Sequence, residues 1–457
     1  IILTDSIPIL AIIFKYFPIL PNYGQYFGLW FLICLVLQYF FAFKLLSLFS
    51  KNYLSIFIFS IMFVVSPAML ERSGMLNSLT SHPALMSHWL IISGMYFYFS
   101  KDQKKYLWPI LLSISLLTHL YLFSIVFAIF IIDVFTRKDF INRFQYVFLV
   151  LFFLVLLAYS VGFFIFDLDY ALGGFGRYRS NLVSLLDPNL NWSLILDDIK
   201  TVKNGEHEGF SYLGLGLILS TFSIALSIKK FSPNQNNRRE YIFSFLIIAF
   251  FIYAQSNNIH ISNYLIFSYQ IPEFSESLFN IFRSSGRFMW PVIYSLMLIT
   301  FVSLTKLNLN TKLLTILFIC IALIQIVDLS PAFKAFNEEK NKSENLFNFS
   351  HEVISATNQF SKIIIISNEI KPDILTSIGY LAVKNKQIIS PAPFARYSRT
   401  ILENIRDETL NNLELGNPEK ETIYIFDSED KWSELKAMKI KNIKFMEVDK
   451  YYLAYEN

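Results

Sequence analysis

The chain has 457 residues, of which 54% are hydrophobic and 16% are charged, and its formal net charge is only +4. Its mean hydropathy of +0.45 and its repeated long apolar runs exclude the soluble globular classes and predict a multi-spanning membrane protein. The small positive charge lies mostly in short loops, which bears on membrane orientation and gives no sign of a nucleic-acid partner. The two cysteines, Cys34 and Cys320, fall inside apolar runs and exclude a disulfide framework.

The first apolar stretch, residues 6–21, is interrupted by three prolines and by Lys15. We therefore expect a partly helical segment that lies on the membrane surface and does not cross it. Because the chain starts abruptly and without Met, we expect one further span before Ile1. About ten visible spans are predicted from the later runs, at 26–49, 53–70, 85–100, 106–135, 145–166, 211–228, 241–254, 289–304 and 313–327.

The run 106–135 is too long for one ordinary span and short for two, and a break near Thr118–His119 predicts a hairpin of two short or tilted helices. The charge of the loops supports the same hairpin. The basic loops lie on one side of the membrane only if this run enters the membrane and returns to the side from which it entered. Those loops lie near 44–52, 101–106, 136–144, 229–240 and 305–312, and the positive-inside rule places them in the cytoplasm. The opposite loops, 1–25, 71–84, 167–210 and 255–288, are expected to face outward.

The composition changes from about residue 331, where apolar runs shrink to strand length. Candidate strands at 363–367, 422–426 and 443–448 alternate with helical stretches near 372–385, 399–413 and 431–438. This pattern predicts a C-terminal extracytoplasmic α/β domain at 331–457, joined by the Asn-rich segment 336–350 as its linker. The expected fold is thus an α-helical polytopic membrane protein, with a transmembrane domain at 1–330 followed by that α/β domain.

The segment IFRSSGRFMWPVIY, residues 281–294, carries the most informative pair of charges. Arg283 and Arg287 are four residues apart and would share one face if the segment were helical. Trp290 and Pro291 then begin an uncharged apolar run, and a Trp at that position is typical of the water–lipid boundary. Guanidinium groups bind phosphate through two hydrogen bonds, so the pair predicts a phosphate site at the mouth of a span. Snorkelling to lipid headgroups is the alternative.

The other ionisable groups also gather in the outer loops, since His119 is the one clear ionisable group at mid-depth in the spans. This scarcity argues against an ion-coupled transporter. Asp5 precedes the first apolar stretch, where its spacing alone favours a helix N-cap. Glu71 and Arg72 directly follow a span, where an exposed ion pair is the alternative.

Two further sets of residues complete the candidates for substrate binding. His88 lies beside Trp89 at the start of a span, and its six-residue spacing from His82 argues against a zinc pair. Glu206, His207 and Glu208 end the loop 167–210. The two glutamates would point alike in an extended segment and could bind a cation or sugar hydroxyls, with a solvated turn as the alternative. Arg177 and Arg179 add basic, aromatic-interleaved surface to the same loop.

Four motifs together resemble a known family: TDSIPILAIIFK at the start, ALMSHWLIISGMYFYF at 84–99, HEGFSYLGLG at 207–216 and FRSSGRFMWPVIY at 282–294. The chain resembles an uncharacterised family of bacterial integral membrane proteins, which is itself similar to the GT-C superfamily of glycosyltransferases. The resemblance implies a GT-C-like fold in the bacterial cytoplasmic (inner) membrane and a polyprenyl-phosphate-linked sugar as donor. In that superfamily an acidic residue of the first outer loop is the general base or binds a metal.

On this resemblance Asp5 is the catalytic candidate, and the acceptor is a glycan, lipid or protein of the cell envelope. Thr4-Asp5-Ser6 holds a single acid where the superfamily has a paired acidic motif, so dependence on a divalent cation stays open. Arg283, Arg287 and Arg72 would hold the donor phosphate. A non-catalytic envelope protein or a lipid-linked-glycan transporter is the alternative.

Overall fold

A computed structural model gives the structure of the chain. The described residues are 7–17, 26–74, 76, 81–101, 104–137, 142–164, 174–189, 191–202, 204–227, 238–307, 309–342, 349–367, 372–390, 399–449 and 451–457. Asp5 lies outside them. The chain divides into two compact units, the first ending at Asn341 and the second running from Lys342 to Asn457.

The first unit is almost entirely helical. Its helices are α1 (Pro8–Tyr16), α2 (Phe27–Leu46), α3 (Tyr53–Val64), α4 (Pro67–Leu70), α5 (Trp89–Phe99), α6 (Leu107–Leu116), α7 (Leu120–Thr136), α8 (Arg143–Ser160), α9 (Leu215–Ser227), α10 (Arg238–Ala254), α11 (Glu273–Ile281), α12 (Met289–Thr305), α13 (Thr311–Asp328) and α14 (Ser330–Lys342). Short 3-10 helices at Glu71–Ser73, Pro83–Met86, Glu206–Gly209 and Ser285–Phe288 lie between them. A helix lies in each of the apolar runs from which spans were predicted, and the run 106–135 holds two of them.

Among the described residues, five helical segments of this unit are long and apolar enough to cross a membrane: Phe27–Leu46, Tyr53–Ser73, Arg143–Ser160, Ser285–Thr305 and Thr311–Asp328. Their burial differs widely, from 17% of the apolar window in Arg143–Ser160 to 78% in Ser285–Thr305. Helix α8 exposes Phe148, Phe152 and other large apolar side chains, a surface that suits lipid and not water. Helix α12 is instead a central helix of the unit.

The chain turns back between α6 and α7, at the predicted break. Trp108, near the start of α6, donates from its indole nitrogen to Asp133, near the end of α7, over 2.8 Å. Asp133 also accepts from Arg137 and from Arg239, the second residue of α10. Arg137 in turn donates to the Phe97 carbonyl at the end of α5 over 2.7 Å. This Asp133 cluster therefore joins one end of α5, α6, α7 and α10.

The loop 255–288 contains regular structure that the sequence reading did not predict. Strands β1 (Asn258–Ile261) and β2 (Tyr264–Ser268) pair antiparallel, and α11 follows them. Most of the side chains of β2 and α11 are exposed. Because neither element has the length or the apolar run of a span, the hydropathy pattern gave no signal for them.

The second unit is built around a five-stranded sheet. Its strands are β3 (Lys362–Ile366), β4 (Ile388–Ser390), β5 (Thr422–Phe426), β6 (Ile443–Val448) and β7 (Tyr451–Glu456), in the order β4-β3-β5-β7-β6. Its helices are α15 (His351–Asn358), α16 (Pro372–Asn385), α17 (Arg399–Glu414) and α18 (Glu429–Ala437). Strands β4, β3 and β5 are parallel, whereas β7 is antiparallel to both β5 and β6.

Two apolar cores cover the two faces of this sheet. Ile363 and Ile365 of β3 pack in a cluster with Ile378 of α16. Ile364 and Ile366 of the same strand pack in a second cluster with Leu413 of α17 and side chains of α18. The alternation along β3 follows from the two-residue period of a strand and produces three α/β/α layers. The C-terminal α/β domain expected from the sequence is present, but the first half of the expected linker, up to Lys342, belongs to helix α14.

Candidate functional site

Glu208 lies between two arginines that come from distant parts of the chain. Arg72 Nη1 donates to Glu208 Oε2 over 2.8 Å, and Arg287 donates from Nε to Oε2 over 3.0 Å and from Nη2 to Oε1 over 2.6 Å. His82 Nε2 lies 3.7 Å from Oε1. All three members of the Arg72–Glu208–Arg287 triad are buried. Burial alone raises the pKa of Glu208, but the positive charges of Arg287 and Arg72 bring that pKa well below its usual value.

Two glycines allow the segments of the triad to pack backbone against backbone. A Cβ on Gly286 would lie 2.5 Å from the Cα of Gly209, and one on Gly209 would lie 2.4 Å from the Arg179 carbonyl oxygen. The amide of Gly286 donates to the Tyr178 carbonyl over 3.0 Å. The 3-10 helices at 206–209 and 285–288 therefore approach closely enough for Glu208 to meet Arg287, because neither glycine has a side chain at the contact.

Glu71 and Arg72 do not form the exposed ion pair that was the alternative for them. Both are buried, and the 3-10 turn that follows α4 directs them to different partners. Arg72 also donates to the Glu208 backbone carbonyl over 3.0 Å, whereas Glu71 accepts a 2.7 Å bond from the indole of Trp192. The neighbouring acid and base thus join the loop 71–84 to two parts of the loop 167–210.

Glu206 and Glu208 do not point alike, because residues 206–209 form a 3-10 helix and not an extended segment. Glu206 accepts from Arg179 over 3.0 Å and from Asn181 over 3.2 Å. The sequence predicted a basic surface formed by Arg177 and Arg179. Arg177 is exposed, but Arg179 is buried and therefore does not contribute to such a surface. Burial lowers the pKa of His207 between the two glutamates, so this imidazole is neutral at pH 7.

His88 begins a buried polar chain beside the triad. Its Nδ1 lies 2.8 Å from the Tyr294 hydroxyl, which accepts a 3.0 Å bond from the Gln38 amide. Trp290 packs on His88 with ring centroids 4.3 Å apart, and the Arg72 guanidinium carbon lies 5.4 Å from the Trp290 ring centroid. Trp290 is fully buried among these side chains, and its position at the water–lipid boundary stays a prediction.

Several buried nitrogen atoms of this neighbourhood lack a hydrogen-bond partner among the described residues, and three of them surround the contact between His88, Trp290 and Arg72. These three are Nε of Arg72, Nε2 of His88 and Nε1 of Trp290. All three side chains are fully buried. Because an unsatisfied buried polar group costs about 1–3 kcal/mol, a native protein seldom keeps several of them together without a reason. The chemistry of these atoms suits an oxygen-rich group that accepts hydrogen bonds.

Arg283 lies in the link between α11 and the 3-10 helix 285–288, so it does not share a helix face with Arg287. Its guanidinium carbon lies 5.6 Å from the ring centroid of Tyr178, and that of Arg177 lies 5.3 Å from the same ring. The ring of Tyr178 lies 6.3 Å from that of His207. Within the described part of the chain, Arg283 forms no hydrogen bond or ion pair.

The structure therefore brings most of the predicted site residues into one neighbourhood at the start of α5, α9 and α12. Glu71, Arg72, Glu208 and Arg287 are in or next to the triad, and His88 is linked to it through Trp290. Glu206, His207 and Arg283 lie at its border, and Asp5 is outside the described residues. The sequence reading missed Tyr178, Trp192 and Tyr294, because an aromatic residue in a chain this rich in aromatics gives no local signal.

No group of three or more His, Cys, Asp or Glu side chains in the described ranges is arranged to hold a metal ion. A family model described as a domain of unknown function, DUF6311, matches residues 1–330. A second model, described as the DUF6311 C-terminal domain, matches residues 352–456. No curated protein and no solved structure matches the chain.

Proposed function

The chain belongs to the DUF6311 family, and we propose that it is a GT-C-type glycosyltransferase of the bacterial cytoplasmic membrane. It moves a sugar from a polyprenyl-phosphate donor to a glycan, lipid or protein acceptor of the cell envelope. The reaction takes place at the outer face of the membrane, where the loops 1–25, 71–84, 167–210 and 255–288 lie. The α/β unit lies on the same side.

The single observation that carries the proposal is the set of buried, unpartnered donors beside the triad. Arg72 Nε, His88 Nε2 and Trp290 Nε1 come from three segments of the chain and find no acceptor among the described residues. A phosphate offers several acceptor oxygens and a negative charge, so it matches both the donors and the guanidinium next to them. The lipid tail of the donor would be accommodated among apolar helices.

The charges of the triad favour an anion. Arg72 and Arg287 carry two positive charges against the one negative charge of Glu208, with which both form hydrogen bonds. Glu208 holds both guanidinium groups in fixed positions before substrate arrives, so little reorganisation is needed when charge develops. Arg283, over the face of Tyr178, supplies a further cation near the border of the site.

In the proposed reaction Asp5 accepts the proton of the acceptor hydroxyl. The acceptor oxygen forms a bond to the anomeric carbon of the donor while the bond from that carbon to the phosphate oxygen breaks, with inversion. The electron pair of the breaking bond remains on the polyprenyl phosphate, whose growing charge the guanidinium groups stabilise. Glu206 and His207 orient sugar hydroxyls at the border of the site.

The catalytic role of Asp5 is tested by measuring sugar transfer by the variant Asp5→Asn. The purified protein is given polyprenyl-phosphate-linked glucose, mannose, galactose or arabinose together with envelope glycans, and release of polyprenyl phosphate is measured. General acid–base catalysis contributes about 10²–10⁴-fold, so we expect the variant to lose most of the turnover. Glu276→Gln, which removes an exposed carboxylate of α11, is the control and should keep wild-type turnover. Undiminished transfer by Asp5→Asn would remove Asp5 from the mechanism.

One observation favours a second candidate, a non-catalytic envelope protein. Arg287 makes a two-point contact with Glu208, so the triad could serve only to join three segments. Binding of polyprenyl phosphate without release of sugar from any of the four donors, in the presence or absence of acceptor, would support this candidate against the transferase.

A further inference from the structure

The loop between α10 and α12 carries a surface that is apolar and yet exposed. In β2, four consecutive residues, 264–267, have large apolar or aromatic side chains, and each is more than half exposed. Phe274 of α11 is 89% exposed, more than any other large apolar side chain of the described residues, and Leu278 is exposed beside it. We call residues 264–267, Phe274 and Leu278 the β2–α11 surface. Exposed apolar runs of this kind mark places where a protein contacts another molecule or a membrane.

Contacts with the rest of the first unit hold both elements of this surface in place. The Leu182 amide donates to the His260 carbonyl over 3.0 Å, so β1 is attached to the chain at Leu182 and β2 is the outer strand of the hairpin. Phe279 of α11 packs on Phe175 and on Tyr253, with ring centroids 4.8 Å and 6.4 Å apart. Because Tyr253 belongs to the last turn of α10, the β2–α11 surface lies beside the end of that helix.

Helix α11 has its exposed apolar side chains and its charged side chains on different sides. Phe274 and Leu278 are four residues apart and share one face. Glu273 and Glu276 are also exposed, but the turn of about 100° per residue places them away from that face. Between residues 255 and 282 the sequence has no Lys or Arg. A helix with such a division lies in a membrane interface with its apolar face toward the lipid chains.

The exposed apolar surface continues along α10, which leads into the loop. Residues 241–254 of this helix are uncharged. Four of their side chains, each more than half exposed, follow one another at helical spacing: Tyr241, Phe245, Ile248 and Ile252. In a membrane protein such a ridge faces lipid, because water would be an unfavourable neighbour for it. Since the β2–α11 surface begins where this ridge ends, lipid is the occupant that the structure favours for both.

We propose that the β2–α11 surface inserts into the membrane surface at the end of α10, with Phe274, Leu278 and apolar side chains of β2 among the lipid chains. The outer edge of β2 stays at the depth of the headgroups, where water reaches its backbone groups. Tyr264 begins β2 and Tyr269 follows it, and tyrosine is enriched at this depth because its ring is apolar and its hydroxyl is polar. The inference does not depend on the transferase reaction, because it rests on the membrane-facing surface of the first unit.

The depth of spin labels in the full chain tests the proposal. Cys34→Ala and Cys320→Ala remove the native thiols, and Phe274→Cys, Leu265→Cys or Glu276→Cys then supplies one site for a nitroxide. The protein is placed in phosphatidylcholine nanodiscs, and collisions of the label with oxygen, which concentrates in lipid, are compared with those of a water-soluble nickel chelate. We expect labels at 274 and 265 to lie about 5–10 Å below the headgroups. The label at 276, on the charged side of the same helix, is the control and should collide mainly with the nickel chelate.

Two results would overturn the proposal. Equal access of the nickel chelate to the labels at 274 and 276 would mean that this surface faces water. Rare collisions of both reagents with the labels at 274 and 265 would mean that protein, from this chain or a second copy, covers the surface. All three labelled positions are exposed, so the substitutions should leave the fold intact, and Leu278→Cys reports on the same face if Phe274→Cys does not fold.

The lipid charge provides a second test of the same insertion. Because the loop has no Lys or Arg between residues 255 and 282, its insertion depends on apolar contacts and not on attraction to anionic headgroups. We therefore expect the label at 274 to lie at the same depth in phosphatidylcholine as in phosphatidylglycerol nanodiscs. Insertion only into phosphatidylglycerol would contradict this account.

Discussion

At the level of single residues, Glu208 is the negative charge that two buried arginines of the first unit share. Its carboxylate forms ion pairs with the guanidinium groups of Arg72 and Arg287, both of which are buried. A buried charge that loses its partner is far more costly than a surface charge, because no water replaces the lost contact. The triad is therefore a point where one substitution affects three segments of the chain.

Glu208→Gln should lower the free energy of unfolding by about 3–5 kcal/mol, because it keeps the shape of the side chain but removes the negative charge with which two buried guanidinium groups form ion pairs. Denaturant or thermal unfolding in detergent measures this loss. Glu276→Gln, at an exposed position of α11, is the control and should change stability by less than about 0.5 kcal/mol. A loss at Glu208 no larger than at Glu276 would show that the triad is not buried and paired.

The stability that Glu208 supplies should depend on pH in a defined window. Its pKa in the folded protein lies well below the ordinary value of 4.5, because Arg287 and Arg72 outweigh the effect of burial. A carboxylate with a lowered folded-state pKa contributes stability that is present above the unfolded-state pKa and is lost as the pH falls through the folded-state pKa.

The difference in unfolding free energy between wild type and Glu208→Gln should thus be constant from about pH 7 to about pH 5 and should shrink at lower pH. Unfolding curves of both proteins across this range give the difference. A difference that grew on acidification would contradict the ionised state of Glu208.

Local spacing could identify the residues of this site but not their partners. Arg72, Glu208 and Arg287 stood out because charges are scarce in so apolar a chain and all three lie next to apolar runs. Their pairing joins residues 136 and 79 positions apart in the sequence, and no periodicity encodes such a contact. The 3-10 turns that point Glu71 away from Arg72 and Glu206 away from Glu208 give no signal in the sequence either.

At the level of the elements, helices α5, α7 and α10 each run between two polar regions of the first unit. One end of each lies at the Asp133 cluster. At the other end, His88 begins α5, Tyr121 of α7 lies 4.5 Å below the Arg287 guanidinium, and the carbonyl of Ala254 in α10 accepts from the Ser180 amide. The apolar middle of the helices separates the two regions.

Asp133→Asn should destabilise the folded protein by about 3–5 kcal/mol, since Arg137 and Arg239 would lose their shared carboxylate. The site at the opposite helix ends should be unaffected, because distant substitutions contribute independently. Combining Asp133→Asn with Glu208→Gln checks this in unfolding experiments, where the two losses should add within about 0.5 kcal/mol. Strong non-additivity would mean that the two regions are not separate.

The elements themselves were largely predictable where hydropathy determines them. The break between α6 and α7 followed from the length of the run 106–135 and from His119, which caps α7 by accepting from the Tyr121 amide. Strands β3, β5 and β6 followed from apolar runs of strand length. The hairpin β1–β2 and helix α11 were missed, because each is too short for a span and both lie within a long loop between two apolar runs.

At the level of the whole molecule, the chain combines an apolar helical unit with a separate three-layer α/β unit. The first unit places buried arginines and unpartnered donors at one end of its helices, which is the basis of the proposed donor-phosphate site. Sequence composition was sufficient to predict both units. It could not predict that Arg283 and Arg287 separate, because the helix that would have joined them ends at Ile281.

Equilibrium binding of polyprenyl phosphate to the full chain in lipid nanodiscs, compared with polyprenol that lacks the phosphate, tests the central claim most directly. We expect saturable binding that depends on the phosphate and weakens about tenfold or more in Arg283→Gln, because hydrogen bonds to charged groups contribute about 1.5–3 kcal/mol. Arg238→Gln, at an exposed arginine of α10 near the Asp133 cluster, should leave the affinity unchanged. Equal affinity for polyprenol and polyprenyl phosphate, or an equal loss in the two variants, would contradict the proposed phosphate site.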